Sequence, residues 1–263
     1  MTMDVIVITY PKTLTLVRIF CESFAKYYHG PGKLYLFSEK EYIPALKIFG
    51  LPKNTEVISK EDILPDHSQF QGYLTQQYFK LYAHQIIQSD SYLVADDDFV
   101  FIRPTEEDHF FCQGKPIWFY QRWEYAGAGK VWKEPTEKFL EPLRIEQPFH
   151  FLTSNPTYIY LKDVVADLCN QIDSLKILEQ KLFAEGRTYG SFAFARHRHR
   201  YNWINNYGFD EVLGGRVNQI PPDYLTLDPT VRFEEFSHFH FLSFWSHWSR
   251  SEEKMAEFLR RSQ

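Results

Sequence analysis

The amino-acid sequence predicts an α/β domain in which a mostly parallel central sheet is flanked by helices, with a helical, aromatic-rich C-terminal part. Three observations carry that expectation. Short unbroken apolar runs, as in strands covered on both faces, alternate with stretches of three- and four-residue apolar spacing. One of those runs leads straight into three adjacent aspartates. Phe, Tyr and Trp make up 18% of the 263 residues and crowd the last stretch.

Taken in order, Val5–Ile8 is the first strand. Leu14, Val17, Phe20, Cys21, Phe24 and Tyr28 recur at helical spacing and stop near His29–Gly32, where Gly and Pro end a helix. Leu34–Phe37 is the second strand, Tyr42–Phe49 a short helix ending at Gly50, and Glu56–Ile58 a third strand. This βαβαβ opening belongs to a parallel sheet with helices on its faces. Leu74, Tyr78, Leu81, Tyr82 and Ile86 predict a long helix over Tyr73–Gln88. Tyr92–Ala95, Phe99–Ile102 and Ile117–Tyr120 read as strands, the middle one stopped by Arg103–Pro104. An irregular stretch with Gly127, Gly129, Pro135, Pro142 and Pro148 follows. Thr157–Tyr160 is then a strand, and Lys162–Ile172 and Ser174–Phe183 are helices. Tyr189–Trp203 shows no clear period, Phe233–Trp248 is dense in Phe, His and Trp, and Glu252–Arg261 is a terminal helix. No repeat or linker divides the chain, so residues 1–263 are read as a single domain.

Composition excludes several classes. Lys and Arg total 29 against 34 Asp and Glu, a formal net charge of −5. That balance does not suit a general nucleic-acid binder, whose affinity rests on neutralising phosphates. The aromatic load exceeds what a core requires, and Tyr and Trp suit a cleft that stacks sugar or base faces. Cys21, Cys112 and Cys169 are odd in number and widely spaced, with no metal motif and no disulfide framework, which points to a reducing compartment. The N-terminus lacks a signal-peptide pattern, and no apolar run approaches the roughly 20 residues of a membrane span. The expectation is a cytoplasmic protein, with peripheral contact at the inner face of the membrane left open.

Asp96, Asp97 and Asp98 follow a nearly all-apolar strand directly. In open α/β sheets, ligands bind outside the carboxyl ends of strands. Three adjacent carboxylates repel one another and are costly to desolvate without a counter-charge. A hard divalent cation such as Mg²⁺ or Mn²⁺ supplies one. If the segment stays extended, Asp96 and Asp98 share one face and Asp97 the other. The competing account is an acidic turn after a buried strand.

The helix segment Gln76-Gln-Tyr-Phe-Lys-Leu81, followed by Tyr92-Leu-Val-Ala-Asp-Asp-Asp-Phe-Val-Phe-Ile-Arg-Pro104, resembles nucleotide-sugar glycosyltransferases of the GT-A (Rossmann-like) fold. The likeness is nearest to a poorly characterised bacterial group with a Gln-Gln-x-x-Lys-Leu helix before an Asp-x-Asp motif. Phe149–Pro156 and Ala184-Glu-Gly-Arg-Thr-Tyr-Gly190 also correspond, Ala184 standing where Ser is usual. The resemblance implies a nucleotide-binding half over residues 1–104 and an acceptor-binding half over 105–263. It implies that Asp96 and Asp98 contact Mn²⁺ or Mg²⁺ and the donor diphosphate, with Asp96 and Asp97 beside the donor. It also implies that Thr9 and Tyr10 border the nucleoside pocket, and that Lys80 reaches the phosphates with Gln77 beside it. The partners implied are a nucleotide-sugar donor and a glycan or lipid-linked acceptor in bacterial surface polysaccharide synthesis.

Acceptor deprotonation needs a carboxylate or imidazole within hydrogen-bond reach. Glu185 is the leading base candidate, and Gly186 and Gly190 would let backbone approach a ligand. Near the C-terminus, His238 and His240 share one face if the run is extended; the resemblance implies a third metal ligand here, His240 being favoured and His247 a further candidate, with a structural histidine as the competing account. Arg196-His-Arg-His-Arg200 suits a phosphate, a carboxylated acceptor or an anionic lipid surface, or is a solvated helix face. Trp123, Tyr125 and Trp132 form a candidate acceptor loop, with core packing as the competing account. Two rival readings stand beside the transferase: a metal-dependent phospho- or nucleotidyltransferase, which lacks a visible phosphate loop, and a non-catalytic carbohydrate-binding protein.

Overall fold

The computed structural model describes residues 2–151, 158–205, 224–227 and 241–244, with Ala256 and Arg260. The first part of the chain forms β1 (Met3–Ile8), α1 (Leu14–Tyr27), β2 (Leu34–Ser38), α2 (Ile43–Ile48), β3 (Thr55–Ser59), α3 (Lys60–Ile63), α4 (Gly72–Tyr82) and β4 (Ser91–Ala95). β1 lies parallel between β2 and β4, with Val5 opposite both Leu34 and Leu93, and β3 adds outside β2. Next come β5 (Phe99–Phe101), β6 (Phe111–Cys112), β7 (Lys115–Gln121), α5 (Lys133–Leu140), β8 (His150–Phe151) and β9 (Ile159–Leu161). β9 runs antiparallel on β4 and completes a sheet ordered β3-β2-β1-β4-β9. α6 (Lys162–Gln171), α7 (Glu185–Arg196) and β10 (Asn202–Asn205) follow. β10 lies parallel to β7, which also carries β6 and β8. β11 (Tyr224–Leu227) pairs with β12 (Phe241–Phe244), which runs antiparallel on β5. The architecture is the mostly parallel, helix-flanked α/β sheet that the sequence predicts.

The period of two in each strand divides the core. Ile6, Ile8, Tyr35, Phe37, Tyr92 and Val94 face α4, α6 and α7, while Val5, Val7, Leu34, Leu36, Leu93 and Ala95 face α1 and β5. α1 turns Val17, Phe20, Cys21 and Phe24 onto the second face, as its spacing predicts. Asp4, inside β1, is 2% exposed, and its carboxylate accepts the backbone N–H groups of Lys33 (2.8 Å), Gln88 (3.0 Å) and Ser89 (3.0 Å). Those bonds satisfy a charge that burial would otherwise penalise. Much of the aromatic surplus is core: Trp118 stacks on Tyr160 at 5.8 Å, Tyr189 at 5.4 Å and Trp203 at 6.1 Å.

Several expectations shift. The long helix stops at Tyr82 and continues only as a 3₁₀ turn over Ala83–Gln85. Ser174–Glu179 is likewise 3₁₀ turn instead of the start of a helix. The stretch without a period contains most of α7, which is buried on nearly every side through Gly186, Thr188, Tyr189, Gly190, Ser191, Phe192 and Ala193. Gly190 meets protein, not ligand: a Cβ there would lie 2.8 Å from Phe151, so the glycine lets α7 press against β8. The terminal helix predicted over residues 252–261 lies outside the described residues except at Ala256 and Arg260. Cys21, Cys112 and Cys169 are free thiols. Among the described residues no helix is long and apolar enough to cross a membrane. Because β1 to β4 are parallel, their carboxyl ends share one rim, where Thr9, Glu39, Lys60 and Asp96 follow the strands.

Candidate active site

The rim gathers an ion-pair cluster around Lys80. α4 carries this lysine inward, with its side chain 4% exposed. Its ammonium lies 2.9 Å from Asp96 Oδ1 and 3.4 Å from Glu185 Oε1, and donates to the Tyr158 hydroxyl at 3.1 Å. Burial acts to lower the Lys80 ammonium, but the Asp96 and Glu185 carboxylates overcome it and hold the group well above the ordinary lysine range. Lys80 is therefore a fixed cation. Gln76 Nε2 adds a bond to Asp96 Oδ1 at 3.3 Å. Gln77 is buried and structural in its contacts: its Oε1 accepts the backbone N–H of Glu185 at 3.1 Å, one of the amides left unpaired at the start of α7. Neither α4 residue is on an exposed face.

The aspartate triplet does not stay extended, so simple alternation does not apply. The N–H of Phe99 donates to the Asp96 carbonyl at 3.2 Å and folds residues 96–99 into a turn. Asp96 alone is substantially exposed, with a side chain 38% accessible and its contacts among the described residues made through Oδ1. Asp97 is 6% exposed and Asp98 8% exposed. Burial pushes the Asp97 carboxyl up to about 7, opposed by a hydrogen bond from Thr13, and its Oδ2 has no partner among the described residues. Asp96 Oδ2 and Asp98 offer hard oxygen donors to a cation. Among the described residues no three His, Cys, Asp or Glu side chains converge as a ligand set. A shell there would be completed by phosphate, water or residues beyond those described. His240 lies outside the described residues, as do His238 and His247.

A second part of the rim surrounds the end of β1. Thr9 is buried, its hydroxyl and N–H both donating to the Phe37 carbonyl, at 3.0 and 2.9 Å. Tyr10 points its hydroxyl at the Gly72 carbonyl, 2.6 Å away, and lies under the Lys60 ammonium at 4.2 Å. Lys60 is fully buried, donating to the Thr9 carbonyl and to Glu39 Oε1 at 3.0 Å. Burial lowers this ammonium, against the pull of Glu39. Sequence reasoning missed Lys60 and Glu39. Their signal is positional: each is the first residue after a parallel strand.

Beyond Glu185, Tyr73 and Trp132 pack at 5.6 Å, and the Arg187 guanidinium lies 5.3 Å from the Trp132 ring centroid. Trp123 and Trp132 of the candidate acceptor loop thus lie beside the site, with Trp123 5.0 Å from His150, and Tyr125 is 53% exposed. The basic run Arg196–Arg200 makes contacts with the protein itself. Arg200 pairs with Asp163 at 2.7 Å, His197 with Asp167 at 2.7 Å, and Arg196 donates to the Leu143 carbonyl at 3.2 Å. Arg198 lies 4.5 Å over Phe194.

This sheet with its rim of charges has the fold of GT-A glycosyltransferases. The galactosyltransferase LgtC in complex with donor and acceptor sugar analogs superposes with a TM-score of 0.53 at 9% identity, covering 98% of this chain and 96% of that one. An active-site mutant of LgtC gives 0.51 at 11% identity, with the same coverage. By sequence, residues 11–206 match the model of a family of unknown function, DUF6492, and the chain belongs to that family. No curated protein matches the sequence.

Proposed function

We propose that the protein is a divalent-metal-dependent glycosyltransferase that moves a sugar from a nucleotide-sugar donor to a glycan or glycolipid acceptor in bacterial surface polysaccharide synthesis. One observation carries the reading: a buried, permanently charged Lys80 joins Asp96, at the end of β4, to Glu185, at the start of α7, on the rim of a glycosyltransferase fold. That rim is where an α/β sheet binds ligands.

In this reading Thr9 and Tyr10 border the nucleoside, and Lys60 and the Gly72 carbonyl hold the Tyr10 ring in place. Lys80 faces the diphosphate and stabilises the charge that develops when the bond to the sugar breaks. Asp96 and Asp98, with His240 as the proposed third ligand, would hold Mn²⁺ or Mg²⁺, which would supply further neutralisation of the leaving group. Glu185 accepts the proton of the acceptor hydroxyl as its oxygen bonds to the anomeric carbon. The electron pair of the breaking bond leaves with the nucleoside diphosphate.

The test is calorimetric binding of UDP, GDP, CDP, CMP and their common sugar conjugates, with Mn²⁺ or with EDTA, to wild type and to Asp98→Asn. The expected result is metal-dependent binding of one nucleotide family that the substitution abolishes. A folded protein that binds none of them with metal present would overturn the reading. It would favour the phosphotransferase or carbohydrate-binding alternatives.

A further inference from the structure

Arg187 lies two residues after Glu185, in the first turn of α7, and the transfer chemistry above gives it no role. Its Nε donates to His150 Nε2 at 2.9 Å, and its guanidinium plane covers Trp132 at 5.3 Å. No hydrogen bond or ion pair occupies its Nη groups among the described residues. The support beneath it is rigid. His150 is 4% exposed, stacks with Trp123 at 5.0 Å and lies 3.0 Å from the Gln121 amide at Nδ1. Burial and the Arg187 charge push the His150 imidazole down to about 3, so it is neutral and its Nε2 is an acceptor. The remaining proton is then on Nδ1, which lies 3.0 Å from Gln121 Nε2, so a hydrogen bond there requires that amide turned to present its oxygen. Gly129 closes the support: a Cβ there would lie 2.8 Å from His150 Nε2.

The guanidinium also shares one space with the ion-pair cluster. The Tyr73 hydroxyl, pushed up by its burial, is affected by the charges of Glu185, Lys80, Arg187 and Asp96 together. Tyr73 is 37% exposed and packs on Trp132, which leaves an aromatic surface beside an oriented fork of N–H donors whose Nη groups have no partner among the described residues. Aromatic faces take sugar rings, and a guanidinium fork fits a planar carboxylate in bidentate fashion.

We infer that Arg187, over Trp132 and Tyr73, is a receptor for the carboxylate of an acidic sugar, so that one substrate of this enzyme is a uronic acid or a comparable carboxylated glycose. The receptor is independent of the transferase reading; which substrate carries the carboxylate rests on it. A carboxylate engaged through charge-assisted bonds should bind roughly 10- to 100-fold tighter than its neutral counterpart.

The experiment is saturation-transfer NMR and calorimetry with methyl glucuronide, its methyl ester and methyl glucoside. UDP-glucuronate, UDP-glucose and UDP are measured alongside, against wild type, Arg187→Met and Arg187→Lys. Preference for methyl glucuronide over both neutral glycosides, lost in Arg187→Met and weakened in Arg187→Lys, places the carboxylate on the acceptor. The same preference confined to UDP-glucuronate places it on the donor. Equal binding of acid and ester to wild type overturns the inference, even if the variants fail to fold. So does a preference that survives in Arg187→Met, or an equal loss of UDP and UDP-glucuronate affinity, which would assign the guanidinium to the diphosphate. Glucuronide binding without any nucleotide binding would leave the receptor standing and overturn the transferase reading alone.

Discussion

Lys80→Met tests whether the site is held by the buried ion-pair cluster. The substitution keeps the stem and removes the ammonium that joins Asp96 at 2.9 Å and Glu185 at 3.4 Å. The Glu185 side chain is 4% exposed, so losing its counter-charge strands a carboxylate in the interior. Breaking a buried pair from one side costs about 3–5 kcal/mol. Asp96 is 38% exposed, and solvent screening leaves its share small. At about 2–4 °C per kcal/mol for a chain of this size, the melting temperature should fall by about 6–20 °C. Thermal unfolding followed by tryptophan fluorescence measures it, with buried Trp118 among the reporters. Lys80→Met combined with Glu185→Gln removes both charges and should recover most of the loss, because replacing both partners avoids the unpaired ion. A single variant within about 1 kcal/mol of wild type, or a double variant no more stable than the single, would refute the reasoning.

Three further outcomes are expected. Glu185→Gln should retain nucleotide binding and lower transfer by about 10²- to 10⁴-fold, the usual contribution of a general base, as read from single-turnover product formation. His150 makes the fold acid-sensitive. Its folded pKa of about 3 lies below the unfolded value near 6.5, so the unfolded chain binds the extra proton and stability falls as pH drops from about 6.5 towards 3. The contribution lost by pH 5 is about 2 kcal/mol, and His150→Asn should flatten that part of the curve in urea titrations at pH 7 and 5. Gly190→Ala should cost about 1–3 kcal/mol in thermal unfolding, because its Cβ would meet Phe151 at 2.8 Å and the helix has to move off the strand.

The parallel sheet was legible because each of its strands is an apolar run with a period of its own, bounded by Gly, Pro or charge. α7 was not, because helical periodicity shows only where one face is wet. Its small residues are buried against α4, α5, α6 and β8 at once. The 3₁₀ turn after Tyr82 was hidden for a related reason: Ile86 and Ile87 continue the apolar spacing, while Ser89 and Ser91 crowd the entry into β4. Lys80 and Asp96 were read from a pattern of side chains. Their contact at 2.9 Å needs the sheet, which brings the end of β4 and the end of α4 to one rim.

The same logic explains which charges sequence reading overlooked. Asp96 stood out because three acids adjoin, although two of the three are turned into the protein. Lys60 is isolated among Ser59, Glu61 and Asp62 and resembles an ordinary solvated helix start. It is instead fully buried, bound to the Thr9 carbonyl and Glu39, and laid over Tyr10. Burying an ammonium costs several kcal/mol unless partners meet it, and here the ends of β1 and β2 provide them. The position immediately after a parallel strand is therefore more informative than local charge density. It is where Glu39, Lys60 and Asp96 all lie, on the rim to which α4 also brings Lys80.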